Sequence, residues 1–93
     1  MDEAIKKEIE KAVAILKEFG ATEVYLFGSW ATGKAHPDSD LDLAEKGIPA
    51  EKFYEAYGKV MFAIRRELHL ISLDKPTDFA DFLRGRGELS LVE

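Results

Sequence analysis

Residues 28–43, Gly-Ser-Trp-Ala-Thr-Gly-Lys-Ala-His-Pro-Asp-Ser-Asp-Leu-Asp-Leu, constrain this chain more than any other stretch. The run starts directly after the apolar segment Glu23–Phe27 and ends inside a second apolar segment that carries Asp40 and Asp42. Strand side chains alternate between faces, so Asp40 and Asp42 point the same way if residues 40–45 are extended. Two carboxylates on one face repel each other. A divalent cation is the usual relief, and oxygen donors favour a hard ion such as Mg2+. The glycine-serine turn meanwhile offers backbone N–H groups to a phosphate where the next helix starts. A phosphate cradle beside paired carboxylates points to metal-dependent chemistry on a nucleoside triphosphate.

The flanking sequence supplies the elements that would carry this run. Ile5, Ile9, Ala12, Val13, Leu16 and Phe19 recur at helical spacing over residues 3–19, with Asp2 as a cap and Gly20 as a stop. Residues 23–27 read as a largely buried strand, Ser29 to Thr32 as a short helix closed by Gly33, and residues 34–39 as a polar loop containing Pro37. In the second strand, residues 40–45, Leu41 and Leu43 face away from the two aspartates. After the connector Gly47-Ile48-Pro49, Phe53, Tyr57, Val60, Met61 and Ile64 form the stripe of a helix over 50–64, although Gly58 weakens it. Residues 67–73 form a third strand. Thr77 or Asp78 caps a helix over 78–84, docked by Phe79, Phe82 and Leu83 and broken by Gly85 and Gly87. Leu89 to Val92 packs as a short terminal segment. This order predicts an α/β fold over residues 1–93 as one domain, with a small mixed β-sheet and helices mainly on one face. The other face then invites a partner or a substrate.

Composition narrows the function classes. The 93 residues support one modest core. With no cysteine, disulfides and thiolate metal sites are excluded, which fits a cytoplasmic protein. No apolar run reaches the roughly 18 residues of a membrane span, and the acidic start Met1-Asp2-Glu3 is unlike a signal peptide. A net charge of -5 speaks against general nucleic-acid binding. It is compatible with a nucleotide whose charge a cation offsets.

The spacing Gly28-Ser29, ten residues, then Asp40-x-Asp42 resembles the signature of the DNA-polymerase-beta-like nucleotidyltransferase superfamily. Ala31, Gly33 and the sequence Ser39-Asp40-Leu41-Asp42-Leu43 agree in detail. Length and element order resemble the minimal nucleotidyltransferases, known as the MNT type. The resemblance implies that Asp40 and Asp42 hold divalent metal ions, normally Mg2+, and act in catalysis. It also implies that Gly28 and Ser29 bind the phosphates of ATP. Lys34, in the loop after the turn, is a further candidate for neutralising phosphate charge. Active family members carry a third acid on the next strand, and matching the elements puts His69 there, within Leu68-His69-Leu70. Histidine accepts a proton and ligates metals but prefers softer ions. Glu67 shares the strand face of His69 and is a second candidate, whereas Asp74 has the opposite parity. Arg65 and Arg66 suit the C-terminal end of the preceding helix, and Arg84 and Arg86 complete the basic candidates. Trp30 is placed to stack on a base or to cover the core or an interface.

Three functions follow as expectations. The first is transfer of AMP from ATP to an acceptor hydroxyl, in this family commonly a tyrosine of a HEPN-type toxin that the MNT protein silences as its antitoxin. The second is an antitoxin that has lost transfer and neutralises its HEPN-type partner by binding alone. The third is a nucleotide-binding subunit of a larger transferase. All three require a partner, because the chain has no room for an acceptor-binding module.

Overall fold

Ile5, Ile9, Ala12 and Leu16, three or four residues apart, bury one face of helix α1, Glu3–Glu18. In the computed structural model, which describes residues 3–74 and 89–92, there follow β1 (Glu23–Phe27), the one-turn helix α2 (Ser29–Thr32) and β2 (Leu41–Lys46). A 3-10 turn (Ala50–Lys52), α3 (Phe53–Ala63), β3 (Leu68–Ser72) and β4 (Ser90–Leu91) complete the order. The strands form one mixed sheet in the order β3-β2-β1-β4. β1 runs antiparallel to both β2 and β4, whereas β2 and β3 are parallel. A parallel pair needs a crossover, and α3 supplies it.

Strand alternation divides the side chains between two layers. Val24, Leu26, Leu41, Leu43, Leu68 and Leu70 meet α1 and α3 in the main core. Phe27, Ala44 and Leu73 form a second, smaller cluster on the opposite face, with Tyr25, Ile71 and Leu89 packed against it. The expected mixed sheet with helices on one face is therefore present. Glu45 interrupts the apolar parity of β2. It is fully buried, and its Oε1 accepts the Ile48 N–H at 3.0 Å, which shapes the exit from the strand. Burial pushes its carboxyl above the usual range, the nearby Asp74 charge adds to this, and the Ile48 amide offsets only part.

Several expectations change in detail. The helix expected over 50–64 begins as a 3-10 turn, and its buried face is centred on Ala56 and Val60. Met61, expected in the stripe, is 54% exposed, because the buried face of the helix runs through Ala56 and Val60 instead. Tyr57 is half-buried, and its hydroxyl donates to the Leu68 carbonyl at 2.7 Å. β2 begins at Leu41, so Asp40 sits just before the ladder. The terminal segment is an edge strand on β1. The helix expected over 78–84 with Thr77, Asp78, Phe79, Phe82 and Leu83 lies outside the described residues, as do Asp2, Arg84, Gly85, Arg86 and Gly87.

Candidate active site

The last pair of the β1–β2 ladder joins Phe27 to Asp42. The chain then leaves β1 through Gly28 at φ 71° and ψ -152°, a backbone conformation essentially restricted to glycine. A Cβ on Gly28 would stand 2.1 Å from Asp42 Oδ2 and 3.0 Å from its Cγ. The missing side chain is the space that the Asp42 carboxylate occupies. The Gly28 carbonyl accepts the N–H groups of Ala31 and Thr32, both at 3.1 Å, and so starts α2 with Ser29 at its head. Gly33, in the left-handed region at φ 78°, closes this single turn.

Residues 34–39 then cross back to β2. Within this loop the Ser39 N–H donates to the His36 carbonyl at 2.9 Å, and the His36 N–H donates to Ser39 Oγ at 2.9 Å. The Asp38 N–H donates to His36 Nδ1 at 3.3 Å. From outside, Arg66 donates to the Pro37 carbonyl at 2.7 Å and Trp30 Nε1 donates to the Ser39 carbonyl at 3.3 Å.

The parallel register of β2 and β3 completes the site. It sets His69 opposite Asp42, and the Leu41 N–H donates to the Glu67 carbonyl at 2.9 Å. His69 Nδ1 lies 2.9 Å from Asp42 Oδ1, and His69 Nε2 lies 4.0 Å from Asp40 Oδ2. An ionised carboxylate only accepts hydrogen bonds. In the short contact Nδ1 is therefore the donor, and Nε2 is the nitrogen on the Asp40 side. One donor atom from each of Asp40, Glu67 and His69 lies within 4.8 Å of the others. An open cleft of about 390 Å³ is lined by Ser29, His36, Asp38, Ser39, Asp40, Asp42 and His69.

Ser29, Asp40, Asp42 and His69 thus share one cleft, with Gly28 behind Asp42 and Glu67 beside Asp40. Lys34 is exposed and is not among the residues that line the cleft. Asp74 is engaged elsewhere, accepting the Gly47 N–H at 2.7 Å. Trp30 is half-buried, and the Arg66 guanidinium lies 5.3 Å from its ring centre. His36, Asp38 and Ser39 line the cleft although their sequence reads as an ordinary polar loop. The signal for them was adjacency, because the segment leads straight into Asp40.

Arg66 reaches further than a helix-end charge. Its Nε and terminal nitrogen donate to Glu8 Oε2 at 3.0 and 2.6 Å, and the other Glu8 oxygen accepts the Arg65 N–H at 2.7 Å. Both side chains are largely buried, Arg66 14% and Glu8 11% exposed. Burial alone would raise the Glu8 carboxyl, but the bonds and charge from Arg66, with the Arg65 amide, hold it below the usual range.

Comparison with known proteins gives three kinds of result. The family model described as nucleotidyltransferase domain matches residues 7–74. No curated protein matches the sequence. Among solved structures, a toxin-antitoxin crystal structure with AMP-PNP is 20% identical, with a TM-score of 0.72 over 90% of this chain and 71% of that one. A mutant of the toxin-antitoxin MntA-HpeT is 17% identical, with a TM-score of 0.70 over 90% of this chain and 70% of that one. A proposed minimal nucleotidyltransferase is 22% identical, with a TM-score of 0.73 over all of this chain and 96% of that one. At these identities the likeness is one of fold.

Proposed function

The chain belongs to the nucleotidyltransferase domain family and has its fold, and on that premise we propose that it transfers AMP from ATP to a hydroxyl of a partner protein, as an MNT-type antitoxin. The observation that carries this reading is the placement of His69 between Asp42, at 2.9 Å, and Asp40, at 4.0 Å, in one cleft with Ser29. The donor set fits a divalent cation. Its oxygens come from Asp40 and Glu67, whose carboxylates lie within 4.8 Å of each other and of a His69 ring nitrogen, and from Asp42 in the same cleft, for whose carboxylate the glycine at position 28 leaves room. Carboxylate oxygens suit Mg2+ and Mn2+ alike, which leaves His69 Nε2 free of the ion. Such an ion, when bound, supplies charge neutralisation for the triphosphate and activation of the hydroxyl.

The residues of the chain do the remainder. Ser29 and the turn before it hold the phosphates. The acceptor oxygen bonds to the α-phosphorus, the bond from that phosphorus to the bridging oxygen of the β-phosphate breaks, and pyrophosphate leaves. His69 Nε2 takes the hydroxyl proton, while Asp42 holds the ring through Nδ1. The fitting acceptor is a tyrosine of a HEPN-type toxin. The toxin-antitoxin structures that share the fold support a protein partner.

A second reading rests on the same contact. His69 already engages one Asp42 oxygen, which favours a relative that grips its toxin without transferring nucleotide. Labelled ATP and the co-purified partner separate the two. Transfer adds one AMP per partner by mass spectrometry with the wild type and not with Asp42→Asn. His69→Asp, which restores a hard ligand, is expected to raise the rate in Mg2+. An unmodified partner that all three proteins still inhibit establishes the binding-only antitoxin.

A further inference from the structure

We propose that Arg66 is a positioning residue that clamps the loop 34–39 and thereby sets the distance between the two halves of the cleft; the inference rests on the cleft being the metal–nucleotide site. One half is the turn at Gly28-Ser29, which continues into α2. The other is Asp40, delivered by the loop. The guanidinium of Arg66 touches both. Its face covers the Trp30 ring of α2, 5.3 Å from the ring centre, and one terminal nitrogen donates to the Pro37 carbonyl at 2.7 Å. Trp30 in turn donates to the Ser39 carbonyl at 3.3 Å, next to Asp40.

The clamp is itself held fast. Glu8 on α1 takes the other edge of the guanidinium at 3.0 and 2.6 Å. Glu8 also takes the Arg65 N–H at 2.7 Å, which fixes the turn that carries Arg66. A planar fork with five donors can serve a carboxylate, a carbonyl and an aromatic face at once. A lysine ammonium is a point charge on a flexible stem and can keep the carboxylate but not all three. The Lys34 N–H donates to the Ser29 carbonyl of α2 at 3.0 Å and holds the start of the loop, whereas the bonds among His36, Asp38 and Ser39 shape its turn without tying its far end to the helices.

Arg66→Lys therefore separates positioning from stability, because it preserves charge against the largely buried Glu8. Trp30→Phe removes the Ser39 bond while keeping a ring under the guanidinium. Each full-length variant is compared with the wild type in three measurements: the urea unfolding midpoint, the rate of trypsin cleavage after the exposed Lys34, and affinity for Mn2+ with AMP-PNP. The expected result is a midpoint close to wild type, about tenfold faster cleavage after Lys34, and about tenfold weaker Mn2+–AMP-PNP binding in Arg66→Lys, with smaller changes in the same direction for Trp30→Phe. Unchanged cleavage, or faster cleavage with unchanged affinity, overturns the proposal. If Arg66→Lys does not fold, Trp30→Phe decides by the same criteria. If the wild type binds no Mn2+–AMP-PNP, the proposed function of the cleft fails, and the cleavage rates alone decide whether Arg66 anchors the loop.

Discussion

At Gly28 a single methyl group decides whether Asp42 keeps its place. An alanine there would bring its Cβ 2.1 Å from Asp42 Oδ2 and adopt φ 71° with ψ -152°, at a strain cost of about 1–3 kcal/mol. Gly28→Ala is expected to lower stability by that amount and to abolish Mn2+–AMP-PNP binding, because the carboxylate must swing away from His69. Urea unfolding and calorimetry on the same sample measure the two effects. Binding at wild-type affinity would show that the Asp42 position is dispensable. Asp42 and the Gly28-Ser29 turn follow from local facts, strand parity and a glycine turn, whereas Asp40 stands just before the strand and reaches the cleft at the end of the loop. The hydrogen bond from His69 to Asp42 was not legible, because it depends on the register between β2 and β3.

Between elements, the tie from α1 to the turn after α3 is a carboxylate–guanidinium pair, whereas the sequence suggests for Arg66 only a charge suited to a helix end. Glu8 sits among the lysines and glutamates of an amphipathic helix, and its partner Arg66 is 58 residues away, so no local pattern marks it as buried. For the same reason the helical spacing puts Met61 in the buried stripe of α3 while tertiary packing leaves it exposed. Removing one partner of such a buried pair costs about 3–5 kcal/mol. The Glu8 pKa lies below its ordinary 4.5 in the folded state. Its contribution is therefore complete above the unfolded-state value of about 4.5 and fades as pH falls through the lower folded value. Glu8→Gln should weaken the protein markedly at pH 7 and much less at pH 3, in paired urea titrations. An equal deficit at both values would show that the charge of Glu8 is not what stabilises the tie.

For the molecule as a whole, the element order through residue 74 and the mixed sheet followed from apolar periodicity, whereas the edge strand Ser90–Leu91 did not, since two residues carry too little pattern. Among the described residues no helix is long and apolar enough to cross a membrane. The parallel pairing of β2 with β3 has a kinetic consequence. β1 and β2 are joined through a short stretch and are able to meet early, bringing Gly28 and Asp42 together. β3 reaches β2 only after α3 has crossed over, and Asp42 and His69 are 27 residues apart in the chain. Asp40 and Asp42 are thus gathered before Glu67 and His69 arrive with β3, and the cation site is complete only once β3 has paired. Mn2+ should then slow unfolding in proportion to its occupancy and leave the refolding rate almost unchanged, which stopped-flow measurements on both limbs would reveal. Acceleration of refolding by the ion would mean that the paired aspartates recruit it first and that the last strand assembles around it.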